Sequence, residues 1–229
     1  MFRRLTTRIP KLHSKRTFAL NKLDWKLEEI IDFRGGFFVE AGANDGVRQS
    51  NTLFFEKYKG WNGILIEPIP ALAAKCRQNR PKCIVENCAL ISAQYSEPTV
   101  QMYYCDLMSI VLDSADDMDK VQAHVESGRQ HLSPNDEVFA LEVVACTLTD
   151  VLQRNHVESI DLLSLDVEGN EAEVLSGLDF SRYQPRYMLI EVRSRHEIEL
   201  VLGNAYRPVA ILSETANYQD ILYEHTSNE

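Results

Sequence analysis

Two apolar runs that each end in an acidic residue place the strongest constraint on the fold of this 229-residue chain. The first, residues 37–40, leads into a loop that contains Gly42 and Gly46. The second covers residues 63–66 and ends at Glu67, 25 residues after Gly42. A buried parallel strand that opens into a glycine loop, followed by a strand whose terminal carboxylate reaches a ribose, is typical of α/β enzymes that bind an adenosine-containing cofactor.

Apolar strands and amphipathic helices alternate along most of the chain. We predict strands over residues 37–41, 63–67, 83–90 (with the loop beyond it), 161–169 and 187–192, and a terminal hairpin of 208–213 and 220–224. We predict helices over residues 23–33, 71–79, 170–176 and 194–203, with Asn170 as the cap of the third. A further helix is predicted to start at a Ser50 or Asn51 cap and to end at Gly60, and another to start at a Thr147 cap with Asp150. This order predicts a mostly parallel sheet of seven strands with helices on both faces, in a single domain over residues 23–229.

The alternation is interrupted between residues 92 and 150, which we interpret as an insertion. Residues 99–104 and 138–147 have the pattern of strands, and the segment between them, 105–137, is acidic and polar. A long segment of this kind in a compact domain is either a substrate lid or a solvated excursion.

The charge of the chain is unevenly distributed. The net charge is −10, which argues against nucleic acid as a partner. Residues 1–22 contain seven basic residues and no acidic one, so we predict a disordered tail there, and an organelle transit peptide remains open. The tail lacks the apolar core of a secretory signal, and the chain has no run of ~20 apolar residues that would span a membrane. We therefore expect a cytoplasmic protein.

The five cysteines show no metal-binding or disulfide pattern. Their number is odd, and no Cys-x-x-Cys pair occurs. This spacing predicts free thiols in a reducing compartment and excludes the usual zinc knuckles. We predict no metal.

Four predicted strands end in an acidic residue: Glu40, Glu67, Asp166 and Glu191. The carboxyl ends of parallel strands meet at one edge of a sheet, where ligands bind. A carboxylate-lined edge repels a pyrophosphate, and Asn44 stands where a dinucleotide fingerprint requires its second glycine. S-adenosylmethionine has a ribose diol and two positive groups but no phosphate, so it fits this edge better than NAD(P).

Five motifs then connect the chain with a known family: residues 39–46, 66–68, 87–90, 165–171 and 174–177. Over residues 36–192 the chain resembles the FkbM-type methyltransferases, and the Asp-Val-Glu-Gly-x-Glu run from Asp166 to Glu171 is the most specific part of the match. The resemblance implies the Rossmann-like fold of class I methyltransferases and S-adenosylmethionine as cofactor. It also implies methyl transfer to a hydroxyl group of a small-molecule or glycan acceptor. One departure is Glu40, where the family often has Asp.

We assign cofactor-binding roles at the strand ends. Glu67 is expected to bind the ribose hydroxyls, Glu40 the ammonium group, and Asn87 with Ala89 the adenine edge. Glu40 could instead be a solvated strand end. The full predicted set is Glu40, Gly42, Asn44, Asp45, Gly46, Glu67, Pro68, Asn87, Cys88, Ala89 and Asp166. For Asn44, Asp45 and Asn87, the alternative is a plain role in forming turns.

We predict catalytic roles for Asp166, Glu168 and His196. Asp166 either accepts the proton of the acceptor hydroxyl or orients the cofactor, and Glu168 holds that hydroxyl. Glu168 could instead serve only to favour the start of the next helix. His196 is a possible general base or a surface residue. Two other functions remain open: an NAD(P)-dependent oxidoreductase on a related sheet, and a non-catalytic cofactor-binding scaffold.

Overall fold

The fold is taken from a computed structural model, which describes residues 15–104, 110–112 and 139–228. Eleven strands lie within these residues: β1 (Phe37–Ala41), β2 (Asn62–Ile66), β3 (Ile84–Glu86), β4 (Ala89–Leu90), β5 (Thr99–Tyr104), β6 (Ile110–Leu112), β7 (Phe139–Cys146), β8 (Leu162–Leu165), β9 (Tyr187–Val192), β10 (Tyr206–Glu214) and β11 (Gln219–His225). The α-helices are α1 (Leu23–Glu28), α2 (Leu53–Lys59), α3 (Pro70–Asn79), α4 (Leu148–Arg154), α5 (Glu171–Ser176) and α6 (Arg195–Leu202).

Seven strands form the central sheet in the order β10-β11-β9-β8-β1-β2-β3. Neighbouring strands are parallel except where β11 pairs antiparallel with both β10 and β9. Every residue of β8 and β9 is buried, as expected for central parallel strands that are covered on both faces. The predicted seven-stranded sheet and its terminal antiparallel hairpin are thus confirmed.

Strands β5, β6 and β7 of the insertion form a second sheet together with β4, which lies just before the insertion, in the order β4-β7-β5-β6. The sequence predicts β5 and β7, which pair antiparallel, but not β6. It predicts one strand with its following loop over residues 83–90, which the structure divides into β3 in the central sheet and β4 in the second sheet. Strands of two and three residues are too short to show an alternating pattern. Most of the acidic segment 105–137, predicted to be a lid or a solvated excursion, lies outside the described residues.

One predicted cap forms as expected, while the N-cap of α2 is Thr52 where Ser50 or Asn51 was predicted, and Asn170 precedes α5 without a side-chain cap hydrogen bond. Thr147 and Asp150 form a capping box at the start of α4, with the Thr147 Oγ1 accepting from the Asp150 N–H at 3.0 Å. The Ser50 Oγ accepts from the Leu53 N–H at 3.1 Å, and α2 begins at Leu53. Helix α1 ends at Glu28, five residues before the predicted end at Phe33. Residues 29–36 instead form a turn that stacks the Phe33 ring on Trp61, with 5.0 Å between the ring centroids.

Residues 17–22 pack on the domain, although the sequence places them in a disordered tail. The carboxylate of Asp24 is fully buried and accepts hydrogen bonds from the Thr17 hydroxyl at 2.6 Å and the Phe18 N–H at 2.7 Å. Ala19 forms a parallel bridge with Gln49. These residues are thus attached to the domain through Asp24, whose burial is not evident from the sequence. We call residues 17–22 the strap.

Candidate active site

A cavity of about 610 Å³ lies at the carboxyl edge of the central sheet, within the usual size range of ligand pockets. The ends of β1, β2, β8 and β9 line it, as the four strand-end acids predict. Other parts of the chain complete the wall, namely Leu20 of the strap, Arg48 and Gln49, Met102 of β5, Arg193, and Asn217 with Tyr218 between β10 and β11.

Gly42 allows the ends of β1 and β8 to meet. Its φ is +82°, and a Cβ atom at this position would lie 1.9 Å from the carbonyl oxygen of Asp166. The N–H groups of Gly42 and Ala43 both donate to the Ile66 carbonyl at 3.1 Å, which ties the loop to β2 as well. The protein backbone alone therefore requires glycine at this position, whether or not a ligand is bound.

Glu40 lines the cavity but directs both oxygens to the loop that follows. Its Oε1 accepts from the Asn51 N–H at 2.8 Å, and its Oε2 accepts from the hydroxyls of Ser50 at 2.9 Å and Thr52 at 2.5 Å. The Arg80 Nη1 lies 3.6 Å from the same Oε2. These contacts support a role for Glu40 in shaping the loop between β1 and α2.

Arg80 holds the same loop from behind and was not anticipated from the sequence. Its side chain is fully buried, and Nη1 donates to the Gly46 carbonyl at 3.0 Å and the Ser50 hydroxyl at 3.2 Å. It also donates to the Thr52 hydroxyl and forms an ion pair with Glu56. A basic residue directly after a helix is expected to be exposed, so the sequence alone does not identify Arg80 as a buried residue.

Glu67 closes the β2 end of the cavity. It is buried, with Oε2 accepting from the Asn44 N–H at 2.8 Å and Oε1 from the Ile69 N–H at 2.9 Å. Burial raises the pKa of this carboxyl to about 7, against the lowering effect of the two N–H groups. Each oxygen of a carboxylate can accept a further hydrogen bond, so the group can still bind a diol from the cavity.

The wall next to Glu67 is mainly apolar: Pro68, Leu72, Cys88, Ala89, Leu90 and Met102. Asn87 does not line the cavity. Its side-chain N–H₂ donates to the carbonyls of Glu67 and Pro68, both at 2.8 Å, and so fixes the turn after β2. The apolar wall formed by the side chains next to Glu67 suits a flat, mostly apolar ring.

Asp45 and Gly46, predicted to bind the cofactor, are not among the residues that line the cavity. The Asp45 Oδ1 accepts from the N–H groups of Val47 at 2.9 Å and Arg48 at 2.7 Å, which is the turn-forming alternative considered above. Gly46, with φ +79°, packs against Arg80.

The opposite end of the cavity is acidic. Oxygens of Asp166, Glu171 and Glu191 all lie within 4.8 Å of one another. Asp166 is exposed to the open cavity. Partial desolvation by the surrounding protein atoms, followed by the charges of Glu191 and Glu168, raises the pKa of Asp166 above its ordinary value. The spacing would allow a cation, but Glu171 already accepts two backbone hydrogen bonds, and we assign no metal.

Glu168 and Arg193 form an ion pair at the edge of this cluster. The Arg193 Nη2 donates to the Glu168 Oε2 at 2.5 Å and lies 3.1 Å from the Glu191 Oε1. Burial and the charge of Glu191 raise the pKa of Glu168 to about 7, and Arg193 acts in the opposite direction. Carboxyl groups that titrate near neutral pH suit proton transfer at that pH.

His196 is not brought to the cavity. It lies exposed on α6 and does not line the cavity wall. Tyr218, in contrast, was missed because only the β10–β11 hairpin carries it there; burial and then the charge of Glu191 raise its pKa to about 12.

Comparison with known proteins gives a family match. The model of the methyltransferase FkbM domain matches residues 40–220. A solved methyltransferase FkbM from Methylobacillus flagellatus is 15% identical, with a TM-score of 0.49 over 83% of this chain, which spans only 44% of that protein. A TehB-like SAM-dependent methyltransferase from Corynebacterium glutamicum is 10% identical, with a TM-score of 0.45 over 89% of this chain and 88% of its own.

A third solved structure is a putative tRNA (m1A22) methyltransferase from Streptococcus pneumoniae in complex with S-adenosyl-L-methionine. It is 11% identical, with a TM-score of 0.42 over 90% of this chain and 73% of its own. No curated protein sequence matches the chain significantly. None of the helices in the described ranges has the length and apolar character needed to cross a membrane.

Proposed function

Since the chain belongs to the FkbM methyltransferase domain family, we propose that it transfers a methyl group to a hydroxyl of a sugar or natural-product acceptor. It is an S-adenosylmethionine-dependent methyltransferase with the class I fold. The observation that carries the proposal is one cavity with two unlike ends. A buried carboxylate beside an apolar wall lies at the β2 end, and an acidic cluster lies at the β8–β9 end.

In the proposed binding mode the cofactor lies along the cavity. Glu67 accepts from the two ribose hydroxyls and the apolar wall around Leu72 and Met102 receives the adenine ring, and the presence of these residues in the cavity wall supports this arrangement. The loop at Gly42 and Asn44 leads from there to the acidic end, whose negative charge suits the positive groups of the methionine part. In this proposal Pro68, Cys88, Ala89 and Asp166 contact the cofactor directly, and Glu40, Asp45, Gly46 and Asn87 shape the loops around it.

The bound cofactor supplies an electrophilic methyl group, so the chain must align the acceptor hydroxyl and receive its proton. Asp166 is open to the cavity and has a raised pKa, which suits the role of proton acceptor. Glu168 lies beside it and is positioned to hold the hydroxyl. His196 has no part in the proposal, because it does not reach the cavity.

Polar side chains in the cavity wall support a polar, hydroxylated acceptor. Besides the acidic groups, the wall includes Gln49, Asn170 and Asn217, with Tyr218 as its aromatic member. A dinucleotide cofactor is disfavoured, because its pyrophosphate would meet the same carboxylates without a compensating glycine-rich amide cradle.

Methyl transfer across a panel of sugars and hydroxylated natural products tests the proposal. The full chain is incubated with S-adenosylmethionine, products are identified by mass, and the methylated atom is assigned by NMR. We expect an O-methyl product whose formation slows at least about a hundredfold in Asp166→Asn, the lower range for loss of a general base. Glu158→Gln, an exposed acid outside the cavity wall, serves as the control. Methylation at nitrogen or carbon contradicts the hydroxyl assignment, and cofactor binding without turnover favours the scaffold alternative.

A further inference from the structure

The loop between β8 and α5, residues 166–170, brings two carboxylates to the cavity and is held from two sides. On the inner side, the Glu171 Oε1 accepts from the N–H groups of Val167 at 3.0 Å and Gly169 at 3.1 Å. Glu168 has a φ of +60°, a conformation that is unfavourable for a residue other than glycine. The loop conformation therefore depends on contacts from outside the loop.

Arg193 supplies the contacts on the outer side and links the loop to the end of β9. Its Nη2 donates to the Glu168 Oε2 at 2.5 Å, and its Nε donates to the Glu191 Oε1 at 3.2 Å. The guanidinium also packs against Gly169, where a Cβ atom would lie 3.4 Å from Nη1. Arg193 lines the cavity, and the sequence prediction gave it no role.

We propose that Arg193 is a positioning residue for the bound cofactor: it holds Glu168 and Glu191 as a charge-compensated pair and leaves Asp166 open to the ligand. The inference rests on the proposed function, because it takes the acidic end of the cavity as the place of the cationic part of S-adenosylmethionine. Arg193 thus acts through the carboxylates, without need of a contact to the ligand.

Removing the guanidinium has a defined electrostatic consequence. Glu168 interacts electrostatically with Asp166 on its own loop, Glu171 of α5, Glu191 of β9, and Tyr218 of the hairpin. Without Arg193 these carboxylates repel one another, and protonation relieves the repulsion. The pKa of Glu168 then rises. A cationic ligand prefers the ionised carboxylate, so its affinity increases with pH through that pKa, and the increase moves to higher pH in the variant.

The test compares Arg193→Gln with Arg195→Gln, a matched control. Arg195 lies two residues away on α6, forms an ion pair with Glu199 at 2.6 Å, and has similar exposure, 36% against 33% for Arg193. Calorimetry measures the binding of S-adenosylmethionine to the full chain from about pH 6 to about pH 9, the range that spans the raised carboxyl pKa values. Titration of Glu67 also changes the affinity with pH, but it does so equally in both variants and therefore cancels in the comparison.

We expect Arg193→Gln to bind S-adenosylmethionine about tenfold more weakly at neutral pH, as for loss of a charged hydrogen bond, with the midpoint of the pH profile displaced upward. Arg193→Lys keeps the charge and should keep the wild-type midpoint, while Arg195→Gln should behave as wild type. If Arg193→Gln matches Arg195→Gln in both affinity and midpoint, the inference is refuted. If Arg193→Gln does not fold, Glu168→Gln decides, because loss of a pH step relative to Arg195→Gln supports the inference and an unchanged profile refutes it. Failure of the wild-type chain to bind at all would refute the proposed function instead.

Discussion

Replacement of Gly42 by alanine should lower the unfolding free energy of the domain. Gly42 has a φ of +82°, and a Cβ atom there would lie 1.9 Å from the Asp166 carbonyl oxygen. The left-handed conformation costs a non-glycine residue about 1–2 kcal/mol, and forcing the two strand ends apart adds about 1–3 kcal/mol. The expected loss in unfolding free energy is therefore about 2–5 kcal/mol.

Gly35→Ala is the control for this measurement. Gly35 has a similar φ of +71°, but nothing lies within 4 Å of a Cβ atom at that position. Both variants change the entropy of the unfolded chain in the same way, so the difference between them isolates the clash. Urea denaturation measures both free energies. A difference of less than about 0.5 kcal/mol, the scatter of neutral surface substitutions, would refute the argument that the backbone of Asp166, directly after β8, requires glycine at residue 42.

Three further predictions concern buried charges. Arg80→Met should lower the unfolding free energy by about 3–5 kcal/mol in denaturant titration, because it leaves Glu40 and Glu56 without their buried cation, and a loss below about 1 kcal/mol would contradict this. Asp24→Ala should cost about 1–3 kcal/mol and increase hydrogen exchange in the strap, because it removes the acceptor of the Thr17 and Phe18 hydrogen bonds; protection equal to wild type would show that the strap is held otherwise. For Glu67 the folded-state pKa is raised from 4.5 to about 7, so the folded state binds the proton more tightly than the unfolded state. The melting temperature of the cofactor-free protein should consequently fall as pH rises from the ordinary carboxyl range towards 7, and Glu67→Gln should flatten that decline.

The sheet could be predicted from the sequence because its signals are local. Apolar runs such as residues 37–41 and 187–192 are long enough to identify buried strands, and both strands have the predicted bounds in the structure. Gly42 and Glu67 could be located because a glycine loop and a strand-end acid have a known geometric relation in α/β folds. Family membership and the cofactor were recognised from the same segments, and the match over residues 40–220 confirms the family.

What the sequence did not give depends on contacts between distant segments. Arg80 and Arg193 each form ion pairs with carboxylates from other elements, Arg80 with Glu40 and Arg193 with Glu168. These pairs exist only in the folded chain, so neither arginine stands out in the sequence. Tyr218 reaches the cavity through the β10–β11 hairpin and Leu20 through the strap, neither of which has a motif. His196 is the opposite case: it was predicted at the site because it follows β9 closely in sequence, but on α6 it is exposed and does not line the cavity.

Calorimetric titration of S-adenosylmethionine into the wild-type chain, Glu67→Gln and Glu158→Gln tests the central claim most directly. The account predicts saturable binding by wild type and Glu158→Gln. Affinity should fall at least about tenfold in Glu67→Gln, the loss expected when an ionised acceptor of ribose hydroxyls becomes neutral. Circular dichroism confirms that each variant is folded. Equal affinity in all three proteins, or no binding by the folded wild type, would contradict a cofactor site at the carboxyl edge of the sheet.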